Sequence, residues 1–304
     1  MQVSIAYLAV LLIWSTTPLG IVWSSETINP TMAVLLRMAI AAAIGSLIII
    51  ITKIELPWHK KAIRLYCFSA LGIFGGMSFS YLAAGYLSSG ILSLSFGLAP
   101  VFSAIFARRI LAEPKISSVR KLSMLLSFIG LALVCADKLS LNGDSIYGLF
   151  FILIAVFLFS LSGVLVKSIS LAIHPLATTV GALTVSLPFF IINWLLLDGS
   201  LETSNWEHKS VWATIYLGIF GSLIGFFSYF FVLQRLSAST VALITLVTPV
   251  IALTLGVMFN DEVINNKIIL GAFLVILGLA VYHWGELLMK KLIVIRANKE
   301  NCEY

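Results

Sequence analysis

Between Leu236 and Glu262 the chain runs LSASTVALITLVTPVIALTLGVMFNDE, with no charged side chain before Asp261. About twenty such residues let an α-helix, rising ~1.5 Å per residue, cross a ~30 Å hydrocarbon core. A proline lies inside the run. Pro249 lacks the N–H that the Thr245 carbonyl would accept, and its ring crowds that carbonyl, so a kink is expected there. A carbonyl freed in lipid is costly unless protein or water reaches it. The segment has a twin, LSSGILSLSFGLAPVFSAIFARRILAE from Leu87 to Glu113, with Leu, Ser, Pro and Glu at the same relative positions.

The rest of the chain is equally apolar. Of 304 residues, 60% are hydrophobic and only 11% charged, too apolar for a soluble domain and expected of a polytopic membrane protein. The net charge of +6 needs no nucleic-acid partner, because basic residues of such chains gather in cytoplasmic loops. Cys67, Cys135 and Cys302 have neither disulfide-framework nor metal-ligand spacing. The N-terminal run, MQVSIAYLAVLLIWSTTPLGIVW, has no basic leader and is longer than a signal-peptide core, so it reads as a retained first span.

Hydropathy over windows of about 19 residues predicts ten spans, at 3–23, 32–51, 65–86, 89–107, 119–136, 147–166, 176–197, 212–232, 240–259 and 268–286. With the N-terminus inside, fifteen Lys and Arg fall on inner loops and the tail, and only Lys138, Lys209 and Lys267 on outer loops. Retention of basic residues on the cytoplasmic side therefore puts both termini inside.

The duplication extends beyond the two proline segments. Leu71-Gly-Ile-Phe-Gly75 recurs at Leu217–Gly221, Ser80-Tyr81 at Ser228-Tyr229, Trp14-Ser15 at Phe159-Ser160 and Asn29-Pro30 at His174-Pro175, so that with the proline segments the offsets run from 145 to 149. Such order over half a chain indicates two diverged copies, expected at 1–138 and 145–286, with a short basic cytoplasmic tail at 287–304. Five spans per copy is an odd number, so the second copy enters the membrane inverted. Glu113 then lies inside and its counterpart Glu262 outside. Inverted repeats of this kind give many secondary transporters two gates around one midplane site.

Two five-span halves, each with a proline-bearing fourth helix ended by an acidic residue, resemble the drug/metabolite transporter superfamily, and within it the EamA-type permeases. The likeness runs from Trp14-Ser15 and Arg37 to Gly278-Leu279-Ala280. It implies an all-α integral membrane fold in which the first four helices of each half surround a central cavity, with the fifth and tenth at the periphery. It also implies export or facilitated movement of amino acids, other small metabolites or toxic compounds.

Arg37 is the one charged residue well inside a predicted span, seven residues from Pro30, or roughly 10 Å deep by helical rise. Either it faces a cavity or partner, or its long side chain snorkels to the interface. As a ligand-binding group it would suit a carboxylate or phosphate. Pro100 and Pro249 are the hinge candidates. Ser89, Ser93, Phe96 and Pro100 share a helix face by their spacing, while Thr245 and Thr248 are placed to repair freed backbone or to meet substrate. Trp14, Tyr81, Phe159 and Tyr229 form two repeat-related aromatic pairs, eligible as cavity walls or as interfacial anchors. Asn193 is a polar candidate near the outer end of the seventh span. Gly72, Gly75, Gly76, Gly218, Gly221 and Gly225 are expected to permit close helix packing. Glu113 and Glu262 lie at span boundaries, and His174 and His283 read as interfacial.

There is no GxxxxGK[ST] phosphate loop to supply an ATPase engine and no mid-span Asp or Glu for the usual ion relay. Facilitative, exchange or unconventional coupling is expected. No catalytic, metal-ligating or cofactor-binding constellation stands out. The resemblance, with the inverted repeat, implies a permease of the bacterial inner membrane exporting a small molecule by alternating access. A lipid-modifying membrane enzyme and a non-transporting membrane subunit are the alternatives. The bilayer and a small-molecule substrate are its expected partners, and the oligomer, a homodimer included, stays open.

Overall fold

The computed structural model describes residues 2–113, 117–141, 144–171, 173–236, 241 and 244–300, with side chains left aside at 120, 135–141, 245–246, 283 and 286–300. These residues form helices and short connections. In chain order we label α1 (Val3–Ser24), α2 (Pro30–Thr52), α3 (Lys60–Ala84), α4 (Ser89–Ile110) and α5 (Ser118–Leu141). The series continues with α6 (Ser145–Lys167), α7 (Pro175–Leu197), α8 (His208–Arg235), α9 (Ile244–Asn260) and α10 (Asn266–Glu300). Seven of them, α1–α4 and α6–α8, are long and apolar enough to cross a membrane, whereas α5, α9 and α10 contain shorter apolar stretches. The residues from 287 to 300 continue α10 as helix.

Local chemistry explains the boundaries. Asn29 and His174 each cap a helix whose first residue is proline. The Asn29 Oδ1 accepts from the Thr31 amide at 3.0 Å, and the His174 Nδ1 from the Leu176 amide at 3.2 Å. Proline is well placed there, since its missing N–H would have had no helical partner. At the other end, α4 and α9 stop in the same way: Ala112 (φ 53°) and Asp261 (φ 49°) turn left-handed, and the next amides, of Glu113 and Glu262, reach back to the carbonyls of Ala107 (3.4 Å) and Gly256 (3.2 Å). Two non-glycine residues in that strained region, at about 1–3 kcal/mol each, mark a shared terminator.

The repeated LGIFG run is a π-helical stretch in both places, Leu71–Gly76 within α3 and Leu217–Ile224 within α8. The expectation of close packing holds in both. A Cβ on Gly72 would stand 2.6 Å from the Ser162 Oγ, and one on Gly218 would stand 2.8 Å from the Ile40 Cγ2. The extra residue per turn also rotates the helix beyond it, which is why such stretches cluster where side chains must be re-aimed.

The packing obeys an exchange of halves. Helix α1 lies against α8 and α9, and its counterpart α6 against α3 and α4; α2 packs on α7 and α8, and α7 on α2 and α3; α5 packs chiefly on α10. The α5–α10 pair sits beside the others, its backbones brought together at Gly130 and Gly271. Each half therefore completes its core with the other.

The two ends of the bundle are tied differently. At the N face, where α1 begins, the Lys167 Nζ donates to the carbonyls of Leu233 (2.8 Å) and Leu236 (2.9 Å), and the Lys61 Nζ to that of Ser170 (2.7 Å). At the far face, the Trp23 indole donates to the Asn260 Oδ1 (2.8 Å), the Ser210 hydroxyl donates to the Trp23 carbonyl (2.7 Å), and Lys209 pairs with Glu26 (2.8 Å).

The proline of α4 does not act as expected. Instead of kinking a continuous helix, Pro100 opens its second piece: α4 breaks into Ser89–Phe96 and Ala99–Ile110. Tightened i→i+3 bonds, Gly97 to Leu94 (2.9 Å) and Leu98 to Ser95 (3.1 Å), bridge the break. The Phe96 carbonyl cannot be reached by a proline nitrogen, so the turn before it closes on itself. Pro249 does lie inside continuous helix, as expected.

Candidate functional site

A cavity lies between the two halves, with room of about 70 Å³ for the centres of water-sized molecules. Its walls come from α1, α2, α3, α4, α6, α8 and α9. Of the residues singled out in the sequence, Trp14, Arg37, Ser93, Phe96, Phe159 and Thr248 line it. Arg37 does not snorkel. Only 1% of it is exposed, its Nε donates to the Ser222 Oγ at 2.7 Å, and its guanidinium lies 6.0 Å from the centre of the Tyr81 ring. The Nη1 has no hydrogen-bond partner. Among the described residues no carboxylate pairs with it. A buried cation left so incompletely satisfied is costly and points to a group that arrives from outside the chain.

The aromatic candidates assemble below it, toward the N face. Trp14, Phe159 and Tyr229 form a triangle with ring centres 5.6, 5.1 and 5.5 Å apart, joined by Phe226 and Phe96. Tyr229 stands behind the lining residues, packed on two of them. Tyr81 is likewise a supporting residue. Its hydroxyl meets that of Ser24 at 3.4 Å and its ring backs Arg37.

Other candidates fall elsewhere. Asn193 sits half-exposed on α7, outside the cavity wall. The side chain of Thr245 lies outside the described residues, as does that of His283. Pro100 and Pro249 are buried in α4 and α9 without lining the cavity. Glu262 caps the N-terminus of α4, accepting from the amides of Ser89 (2.8 Å) and Gly90 (3.2 Å). The corresponding start of the α9 segment, where Glu113 would have its equivalent, lies outside the described residues.

Sequence reasoning missed Pro18 and Thr17 of α1, Met77 and Ser80 of α3, Leu92 of α4, Ile152 of α6 and Phe226 of α8, all in the wall. Pro18 carried a usable signal, as a proline in mid-span beside Thr16 and Thr17. Gly221 was assigned to helix packing; its α-carbon faces the guanidinium, and a Cβ there would lie 3.0 Å from the Arg37 Nη2. Ser222, the partner of Arg37, carried no signal of its own.

A second, wider recess opens at the N face between α3, α6, α7 and α8. Lys167, Thr178, Phe230, Gln234 and Arg235 are part of its wall, and no acidic residue is among the described residues there. The Thr178 hydroxyl is buried there without a partner. The aromatic triangle and Phe230 stand between this recess and the cavity, Phe230 packing on Phe226 and Tyr229.

Comparison with known proteins agrees with this architecture. A protein named as an uncharacterized transporter from Archaeoglobus fulgidus is 25% identical over 88% of this chain and 94% of its own. A Bacillus subtilis protein named as the uncharacterized transporter YoaV is 22% identical over 91% and 95%, and protein PagO of Salmonella typhimurium 24% identical over 99% and 97%. A solved crystal structure superposes with a TM-score of 0.66 at 16% identity, covering 92% of this chain and 96% of that one, and so shares its fold. The EamA-like transporter family matches residues 2–136 and again 146–283. Spanning helices, a two-part match and transporter relatives together establish that this chain belongs to the EamA-like transporter family.

Proposed function

We propose that the chain is a secondary transporter that exports a small metabolite, amino acid or toxic compound across the bacterial inner membrane by alternating access, with both termini cytoplasmic. In this reading two inverted five-helix repeats, 1–138 and 145–286, provide ten spans, α5, α9 and α10 included, with the α5–α10 pair beside those that surround the cavity. The observation that carries it is the cavity's composite wall, to which both halves contribute, with Arg37 of one half held by Ser222 of the other at 2.7 Å. A site shared between repeats is where rocking of one half on the other exposes substrate to alternate sides.

The exchange-related packing and the matched helix terminators support inverted repeats. Export from the cytoplasm is in keeping with the recess at the N face, which the aromatic triangle and Phe230 separate from the cavity, and with the Lys209–Glu26 ion pair and the Glu262 cap at the far face. Cells overexpressing the chain should resist a subset of metabolites in a challenge panel, and purified protein should move the same compounds into vesicles. If no compound across a broad panel moves in vesicles, transport is wrong, and the membrane-enzyme or subunit readings take its place.

A further inference from the structure

We infer that the cavity binds an organic monoanion, with a carboxylate on Arg37 and an apolar body against the aromatic wall. This rests on the transporter reading for its physiological meaning and on the geometry alone for its chemistry. Arg37 is buried, its Nη1 is unpartnered, and among the described residues the cavity wall contains no Asp or Glu. The free edge of the guanidinium offers donors matched to the two oxygens of a carboxylate. The Nε is already committed to Ser222, and the Tyr81 ring lies 6.0 Å from the guanidinium carbon, so one edge of the group is held before a ligand enters.

The rest of the wall decides which anion. The wall also includes Trp14, Leu92, Phe96, Ile152 and Phe159. Of the four hydroxyl side chains in the wall, two are turned onto their own helices, Thr17 to the Ile13 carbonyl (2.9 Å) and Ser80 to the Gly76 carbonyl (2.7 Å), and the other two are those of Ser93 and Thr248. Inorganic phosphate would leave most of its oxygens facing rings and methyl groups, at a desolvation cost that the Ser93 and Thr248 hydroxyls offset only in part. A zwitterion would bring an ammonium to a wall without a carboxylate. A molecule with one negative end and an otherwise apolar body leaves neither defect. The N-face recess, bearing Lys167 and Arg235 and no acid among the described residues, presents a potential of the right sign on the side from which an exported anion would come.

Binding to the full-length protein in detergent tests this apart from transport. The probes are benzoate, phenylacetate, isovalerate, benzamide, benzylamine, L-phenylalanine and inorganic phosphate, followed by calorimetry. At least one monocarboxylate should bind, and about 10-fold or more tighter than benzamide, benzylamine, L-phenylalanine or phosphate. Arg37→Met should weaken it about 10- to 100-fold, with Arg37→Lys in between, as expected for loss of a charge-assisted bidentate contact. The wild-type selectivity stands as a test even if a variant fails to fold. The inference is overturned if no monocarboxylate binds up to about 10 mM, beyond the weak end of specific affinity, or if the amide, amine, zwitterion or phosphate binds as well. Binding undiminished in a folded Arg37→Met protein overturns it too. Selective binding without flux in vesicles would uphold the anion site and sink the transporter reading; flux of other compounds with no anion binding would do the reverse.

Discussion

The carboxylate of Glu262, at the end of the second proline segment, accepts hydrogen bonds from the backbone amides of Ser89 and Gly90, 2.8 and 3.2 Å away at the start of the first. The contact places an anion on the positive end of α4 and joins α4 of one half to the exit of α9 in the other. Asn260, held by the Trp23 indole, donates to the same carboxylate at 3.3 Å. Three helices therefore converge on one side chain at the far face. Glu262→Ala should loosen that closure by the worth of a charge-assisted bond, about 1.5–3 kcal/mol, enough for a roughly tenfold or larger shift toward states open at the far face. With Cys67, Cys135 and Cys302 replaced, a cysteine introduced by Ser93→Cys should react faster with a membrane-impermeant maleimide applied at that face. Unchanged reactivity would make Glu262 a plain helix cap.

Much of this site was legible because the duplication pointed to it. Trp14 with Phe159, and Tyr81 with Tyr229, emerged as pairs from the repeat offset, and Arg37 from being charged where charge is expensive. The features that stayed hidden were hidden for physical reasons. Ser222 is 185 residues from Arg37 in the chain, and a serine next to an LGIFG run looks like any small residue at a helix contact. Met77 and Ser80 come after a π-helical stretch, so a wheel drawn at 3.6 residues per turn puts them on the wrong side. Pro100 illustrates another limit. Its position in a span is plain from sequence, but whether a proline kinks a helix or starts a new one depends on how the turn before it closes. Asn193 had polarity in its favour and a half-exposed position on α7 against it, and only the second required coordinates.

Arg37 should cost the protein stability. Its Nε bond to Ser222 is outweighed by an unpartnered Nη1 in a site without a carboxylate, and replacing an incompletely compensated buried charge with an apolar side chain of similar length is often neutral or stabilising by 1–4 kcal/mol. Arg37→Met is therefore expected to keep or raise the thermal midpoint in detergent while abolishing flux. Ser222→Ala should do the opposite to stability, lowering it by about 1–3 kcal/mol, because it orphans the Nε as well. A marked fall in midpoint for Arg37→Met would mean that the arginine is a structural anchor.

The glycines that face functional groups can be separated from those that face only packing. An added methyl at Gly72 would sit 2.6 Å from the Ser162 hydroxyl, which donates to the Phe68 carbonyl at 2.6 Å and so has little freedom to yield. Gly72→Ala should destabilise by about 1–3 kcal/mol, as overpacking does. At Gly225 the methyl would meet the Trp14 Nε1 at 2.9 Å, and the indole, which borders open cavity, can shift. Gly225→Ala is expected to change substrate affinity more than the thermal midpoint. Measuring both quantities for both variants checks the division, and equal loss of stability would remove Gly225 from the site's account.

The two prolines at matched positions should not be equivalent. Pro249 lies within the continuous helix Ile244–Asn260 and deprives the Thr245 carbonyl of its helical donor, so alanine there would restore a bond and straighten α9. Pro100 lies in the first turn of its helical piece, where proline costs nothing in hydrogen bonding, and the break ahead of it is already closed by the Gly97 and Leu98 amides. Pro249→Ala is accordingly expected to slow transport by about tenfold, the worth of a barrier raised by ~1.4 kcal/mol, at unchanged or higher thermal stability. Pro100→Ala should leave the rate within about twofold, a change of under 0.5 kcal/mol. Initial rates in vesicles holding equal amounts of reconstituted protein decide the matter. Equal losses at both positions would mean that the break in α4 is itself a moving joint, and no loss at Pro249 would make its kink a fixed feature of packing.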